Sequence, residues 1–334
     1  AERVDAFSGR TGRKFYLIAE SDLNDARLIR PREQGGCGLH GQWSDDFHHC
    51  VHTLLTGETD GYYVDFGKTE QLAKALREGF VYSGQYSEYR KRNHGNSSAD
   101  RPARQFVVFS QNHDQTGNRM LGERLSVLLP YESLKLAAGI VLLSPFIPLL
   151  FMGEEYAEEA PFLYFISHND PALVEAVRSG RKEEFSRFIW NAAPPDPQSA
   201  GTFMRSKITW EKRNSGKNRT ILNLYRQLIA LRKGIPCLSN LSSRDLDVSF
   251  SEEDRTLIMR RWRGDDHALL IFNFGKEDVV MKPDLQEGEW KKTIDSSDTA
   301  WAGPGSALPD RTRQGDYLTV RSRSFVMYQM EGAK

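Results

Sequence analysis

The sequence predicts an α/β fold in which a parallel sheet with helices on its faces is followed by a C-terminal antiparallel β-sandwich. Three observations point there. Apolar strand-like runs alternate with helical-period segments through the first two-thirds of the chain, as a parallel sheet requires. From about residue 240 the pattern changes to short apolar strands separated by turn residues, the mark of a sandwich. Three strands end in the polar clusters "AESD", "QNHD" and "GEE", which a β/α barrel would bring to one rim.

In chain order, "AERVDAF" reads as the middle of an amphipathic helix, and the chain opens without a methionine, which predicts a fragment or a processed chain. "KFYLIAE" (residues 14–20) reads as a buried strand built on Phe15, Tyr16, Leu17 and Ile18. A shorter strand is expected in "GLHGQW". The helix "KTEQLAKALREGFVY" follows, with Leu72, Ala75, Leu76 and Phe80 on one face. Next come the strand "QFVVFSQ", the helix "YESLKLAAGIVLLS" and the strand "IPLLFMGEE". The long apolar run across the last two holds Lys135, Pro145 and Pro148, so it reads as helix then strand and not as a membrane span. "NAAPPDPQSAGTF" (residues 191–203) is a proline-rich surface loop. An amphipathic helix follows it, with Ile221, Leu224, Tyr225, Leu228 and Leu231 inward. Six strands then make the sandwich: "TLIMRRW", "ALLIFNFG", "VVMK", "WKKTIDS", "YLTV" and "SFVMYQM". The expected domains are residues 1–238 and 239–334. About four strands precede the sandwich, where a closed barrel needs eight. Either the other half lies upstream in the parent protein or the sheet is open; the missing methionine favours the first.

Lysine plus arginine equals aspartate plus glutamate at 45 each, so charge gives no reason to expect nucleic acid or an anionic membrane as partner. Cys37, Cys50 and Cys237 are odd in number and lack metal-ligand spacing, which suits a reducing cytoplasm. No phosphate-cradling loop, dinucleotide fingerprint or Ser-His-Asp signature occurs, and no cofactor is expected.

The chemistry-bearing candidates lie at strand ends. Glu20 ends an apolar strand, where burial would favour the protonated acid a proton donor needs. Otherwise it caps a turn. His113 and Asp114 follow a second strand, with Asn112 and Arg119 near them. Paired carboxylates on one rim are what glycoside hydrolysis uses. The block "WSDDFHHCVHTLLTGETDGYYVDFG" adds Asp45, Asp46, His48, His49 and His52. His48 and His52 stand four apart but enclose no metalloprotease glutamate, so a helix whose polar start lines a cleft is preferred to a metal site. Trp43, Phe47, Tyr62, Tyr63 and Phe66 are core residues or sugar platforms. Glu154 and Tyr156, in "GEEYAEEAPFLYF", suit polyol binding.

Together "LIAESDLND", the tryptophan-to-glycine block, "FSQNHDQTGNR" and "LLFMGEEYAEEAPFLYFISHNDPALVEAVRSGRKEEF" resemble the maltooligosyltrehalose trehalohydrolase family, a branch of the α-amylase superfamily of retaining glycosidases. The resemblance implies the second half of a (β/α)8 TIM barrel, its strands five to eight, followed by the C-terminal sandwich. It implies Glu20 as general acid/base and Asp114 as the transition-state stabiliser, with His113 assisting. Asn112, Asp45, Asp46, His48, Glu154 and Tyr156 join His113 as expected substrate-binding residues. The implied substrate is maltooligosyl trehalose, an α-1,4-glucan, cut at the bond next to its terminal trehalose. The family's nucleophilic aspartate would lie upstream of Ala1, so the chain is expected to need the missing N-terminal barrel half as partner. The rival readings are a related α-glucan enzyme such as a branching enzyme, and an inactive glycan-binding half.

Overall fold

The computed structural model describes residues 1–185 and 194–331. The first three residues of the proline-rich loop, Asn191, Ala192 and Ala193, lie outside them. Helix α1 (Glu2–Thr11) leads to β1 (Ile18–Ala19) and β2 (Gly41–Trp43). Then come α2 (Asp45–Thr56), α3 (Thr69–Glu78) and a small hairpin of β3 (Tyr86–Ser87) and β4 (Arg92–Asn93). The strand β5 (Phe106–Val108) precedes the short helices α4 (His113–Gly117) and α5 (Leu125–Leu128). After them run α6 (Tyr131–Leu143), β6 (Ile147–Pro148) and α7 (Pro171–Phe185). Helices α8 (Ala200–Arg205), α9 (Gly216–Gly234) and α10 (Pro236–Ser239) complete the first part.

β1, β2, β5 and β6 form one parallel sheet in that order, in the registers Ile18↔Gly41, Gln42↔Phe106 and Val107↔Ile147. Parallel pairing puts the C-terminal ends of these strands on one side, as the polar clusters require. The first strand departs from expectation. Tyr16 and Ile18 are 64% and 48% exposed, because β1 is a sheet edge paired to β2 alone. Tyr16, Ile18, Leu39, Val107 and Ile147 line an open apolar cleft of about 800 Å³.

Helix α2 starts where Ser44 Oγ accepts from the Phe47 amide at 3.4 Å and donates to the Gly79 carbonyl at 2.7 Å. It ends at Gly57, whose φ of 79° a side chain would resist. Phe47, Val51 and Leu54 of α2 pack with Leu72 and Leu76 of α3, Leu136 and Ile140 of α6, and Leu224 and Leu228 of α9.

The C-terminal part holds β7 (Leu246–Ser251), β8 (Thr256–Arg263), β9 (Asp266–Asn273), β10 (Val279–Met281) and β11 (Glu289–Asp295). It ends with β12 (Arg311–Arg313), β13 (Leu318–Val320) and β14 (Ser324–Met330). One antiparallel sheet runs β12-β11-β14-β9-β8-β7, and β10 pairs with β13 in a second. The strand alternation is used on both faces. Leu269, Ile271, Val326 and Tyr328 face Leu318 and Val320 of the small sheet. Leu270, Phe272, Phe325 and Met327 join the core of the first part. Every expected strand of this region is present; β7 and β12 are additional strands at the two edges of the sheet, the second short and polar.

Charged side chains stitch the two parts. Lys135 Nζ of α6, fully buried, donates to the Ser296 and Trp301 carbonyls at 2.5 and 3.2 Å. Arg261 of β8 donates to the Leu143 and Asn240 carbonyls at 2.8 and 2.7 Å. Within the first part, Arg232 of α9 reaches the Leu142 and Ser144 carbonyls of the same helix end at 2.7 and 2.6 Å. The C-terminal carbonyls of α6, which lack intrahelical partners, thus receive two cations. Among the described residues no helix is long and apolar enough to cross a membrane.

Candidate active site

Two elements bring the first three candidates together. Glu20 leaves the C-terminal end of β1, and His113 and Asp114 open α4 just beyond β5. His113 Nε2 stands 3.4 Å from Glu20 Oε1 and 3.5 Å from Asp114 Oδ1. One atom from each of the three groups lies within 4.8 Å of the others, close enough to share a cation. Their side chains are 53%, 50% and 51% exposed, and exposed acids commonly cluster without an ion. The Trp43 ring lies edge-on to His113 at 5.9 Å. Two solvent-open carboxylates flanking an imidazole can donate a proton to a bound oxygen and hold a developing positive charge. Glu20 lies in a half-exposed site and not in the apolar setting expected, because its strand is an edge.

Asn112 caps α4: its Oδ1 accepts from the amides of Asp114 at 2.9 Å and Gln115 at 3.1 Å. It is buried, so it aims Asp114 and does not face a substrate as expected. Asp45 does reach the rim. Burial and the charges of Asp22, Asp46 and Asp114 push its carboxyl up to about 7, and Gln115 Nε2 lies 3.5 Å away.

Asp46, the next residue, turns inward. Its Oδ2 accepts from Asn24 Nδ2 at 2.7 Å and from the Val81 and Tyr82 amides at 2.8 and 2.9 Å. This buried strap ties three segments and is no sugar contact. His48 is likewise buried, with Nδ1 at 2.7 Å from the Ser110 carbonyl and Nε2 at 3.0 Å from Tyr63 Oη. Burial and the neighbouring His52 and His49 hold its pKa well down, so it is neutral. Nδ1–H donates to the carbonyl and Nε2 accepts from the tyrosine.

Glu154 and Tyr156 also leave the set of direct substrate contacts. Glu154 is buried, accepting from the Phe151 amide at 3.1 Å and Tyr225 Oη at 3.3 Å; burial pushes it up to about 8. Tyr156 is fully buried and donates to Glu158 Oε2 at 3.3 Å. The sequence reading passed over Glu158, Glu58 and the pair Asp22–Arg90 at 2.8 Å. Glu58 could have been found from Gly57, the helix stop that turns it back towards His52.

The 800 Å³ cleft touches none of these acids; its lining comes from the strands, from the β1–β2 connection and from the segment before β5. Cavity size therefore does not locate the chemistry in this chain.

No protein-family model matches the chain. A Salmonella typhimurium crystal structure described as an alpha amylase superposes with a TM-score of 0.81 at 34% identity, over 98% of this chain and 54% of that one. The alpha-amylase of H. orenii superposes with a TM-score of 0.58 at 16% identity, a likeness of fold alone. These neighbours are α-amylase-family proteins, built as a barrel plus a C-terminal sheet domain; this chain shares the α/β class, with its four-stranded parallel sheet followed by antiparallel sheets. Among curated proteins, the malto-oligosyltrehalose trehalohydrolase of Rhizobium sp. (strain M-11) is 51% identical over 273 residues. That match spans 80% of this chain and 45% of the relative. The enzyme of the same name from Saccharolobus solfataricus is 48% identical over 228 residues, 68% of this chain and 39% of the relative. The chain is homologous to the malto-oligosyltrehalose trehalohydrolases and matches their C-terminal portion. It spans a little under half the length of these relatives.

Proposed function

We propose that this chain carries the acid-bearing half of the active site of a retaining glycoside hydrolase. The enzyme would release trehalose from maltooligosyl trehalose by cutting the α-1,4 bond beside the terminal trehalose unit. The observation that carries this reading is the meeting of Glu20 and Asp114 on one open rim with His113 between them. Glu20 protonates the leaving glycosidic oxygen and then deprotonates water in the second step. Asp114 holds the oxocarbenium-like ring, and His113 orients its hydroxyls. Trp43, edge-on to His113, offers an apolar surface beside the ring, and Asp45 stands ready to hydrogen-bond the far sugar.

A retaining mechanism also needs a nucleophile about 5–5.5 Å from the acid. We assign that role to a residue outside this sequence, on the first half of a (β/α)8 barrel. The open edge of β1 and the apolar cleft beside it suit coverage by that half. Residues 1–238 then form the barrel's second half, and residues 239–334 the sandwich. Three unpaired cysteines support a cytoplasmic setting.

The test uses the full-length parent protein. Incubated with maltooligosyl trehalose it should release free trehalose, and Glu20→Gln should lower kcat by at least a factor of about 10³ while substrate binding persists. Transfer of glucan into α-1,6 branches would replace this reading with that of a branching enzyme. Near-normal turnover by Glu20→Gln would remove Glu20 from the acid role.

A further inference from the structure

The segment bearing His113 and Asp114 is gripped at both ends by one helix and the turn that follows it. At the upstream end, the Ser110 carbonyl accepts from His48 Nδ1–H at 2.7 Å, and His48 Nε2 accepts from Tyr63 Oη at 3.0 Å. The Tyr63 ring stacks on His52, with centroids 4.2 Å apart and planes 9° from parallel. His52 Nε2 donates to Glu58 Oε2 at 2.7 Å. Glu58 closes the ring on Arg119, taking Nη1 at 2.8 Å on Oε2 and Nη2 at 3.0 Å on Oε1. Arg119 lies two residues beyond α4, so residues 110–119 span the gap between the two grips. His48 and His52 belong to α2, Glu58 follows its last turn, and Tyr63 sits in the 3-10 turn Gly61–Asp65.

Glu20 is outside this ring. It is carried by β1, whose pairing is to β2. Both segments leave strands that pair with β2, and the one bearing Asp114 is tied in addition to α2 through hydrogen bonds. A bidentate carboxylate–guanidinium pair fixes direction as well as distance, and a misplacement of about 1 Å at a reacting group can cost about a hundredfold in rate.

We propose that Glu58, with Tyr63 and His48, forms a clamp that sets Asp114 and His113 against Glu20, which makes Glu58 a positioning residue for the reaction. The proposal rests on the rim being the catalytic site. A glutamine at 58 can keep its oxygen where Oε2 accepts from both His52 and Arg119, but its amide nitrogen then meets Arg119 Nη2 donor to donor, and the pair is neither bidentate nor charged on the acceptor side. The downstream grip then weakens, leaving Arg119 on Glu123 at 3.4 Å and the Gly117 carbonyl on Arg181 at 3.2 Å, while the fold's apolar core is untouched.

The experiment compares the full-length protein with Glu58→Gln and with Tyr63→Phe, which removes one hydroxyl and keeps the stacked ring. Deuterium exchange followed by mass spectrometry should show the peptide covering residues 110–119 exchanging at least about tenfold faster in both variants, with β9 and β14 unchanged. The kcat on maltooligosyl trehalose should fall roughly tenfold to a hundredfold in Glu58→Gln, with KM within about twofold. Exchange in 110–119 equal to the parent's in a folded variant overturns the clamp. Acceleration spread evenly over the protein also overturns it, by making Glu58 a stability residue alone. If the parent shows no hydrolysis, the functional reading fails and the exchange data still decide the clamp.

Discussion

The acids at the rim and the acids beneath it come from similar stretches of sequence and meet opposite fates. Glu20 and Asp114 keep their carboxylates about half in solvent, with His113 between them. Asp46, Glu154 and Glu158 are buried in the protein. A buried carboxyl must be hydrogen-bonded or neutral, since leaving it charged and unpaired costs several kcal/mol. Asp46 and Glu158 take the first route, although burial still pushes Asp46 above its ordinary value against its three donors. Glu158 accepts from the amides of Glu159, Ala160 and Thr209 at 2.9, 2.8 and 2.5 Å. These donors prevail over its desolvation and keep its pKa below the ordinary value. Glu154 takes the second route, protonated up to about 8 by burial. The comparison teaches that exposure divides acids that can react from acids that hold the scaffold.

Three experiments sharpen or break that division beyond the loss of turnover expected for Glu20→Gln. The largest stability effect belongs to Asp46. Replacing it by alanine strands the Asn24 amide and two backbone N–H groups, and urea unfolding should show a loss of about 3 kcal/mol or more. Asp114→Ala should cost within about 0.5 kcal/mol, as an exposed side chain does. Equal losses at the two positions would erase the distinction.

The next effect is a pH dependence. Glu154 is protonated in the folded protein up to about 8 and ionises near 4.3 when unfolded. Between those values the folded state holds a proton the unfolded state lacks. Its contribution is complete at low pH and is lost as pH rises, by up to about 1.4 kcal/mol per pH unit. Glu154→Gln lacks that dependence, so the difference in Tm between parent and variant should shift steadily in the variant's favour from pH 5 to pH 8. A difference independent of pH would show Glu154 ionised where it lies. The smallest effect is that of Tyr156→Phe, which removes one of several donors to Glu158. A loss of about 1 kcal/mol is expected in the same unfolding assay, and a loss as large as that of Asp46→Ala would make the tyrosine the chief holder of Glu158.

Much of this was legible in the sequence, for stated reasons. The parallel series, the helices and the sandwich strands follow from hydrophobic period, and the rim pair follows from acids placed just past apolar strands. What failed was depth. Tyr16 and Ile18 look as apolar as any buried strand, yet strand order, which no local pattern encodes, puts them on an edge. Asp45 and Asp46 are adjacent letters, but neighbours on a helix point about 100° apart, so one meets the rim and the other the core. Glu154 follows Gly153, whose φ of 88° turns the chain. Its side chain is carried inward to Tyr225, a partner 71 residues away. Burial at such positions is set by distant contacts that spacing along the chain does not reveal.

The cations gathered at the end of α6 bear on how the molecule comes apart. Arg261 belongs to the C-terminal sheet, Arg232 to α9, and Lys135 reaches from α6 to the loop after β11. Arg261 and Arg232 find their acceptors on the same helix end, so neither sheet nor helix can leave without stranding charge in an apolar core. Melting is then one event shared by both parts. The C-terminal sheet is consequently no detachable cassette: cut away from α6, it leaves the Leu143 and Ser144 carbonyls without the guanidinium of Arg261.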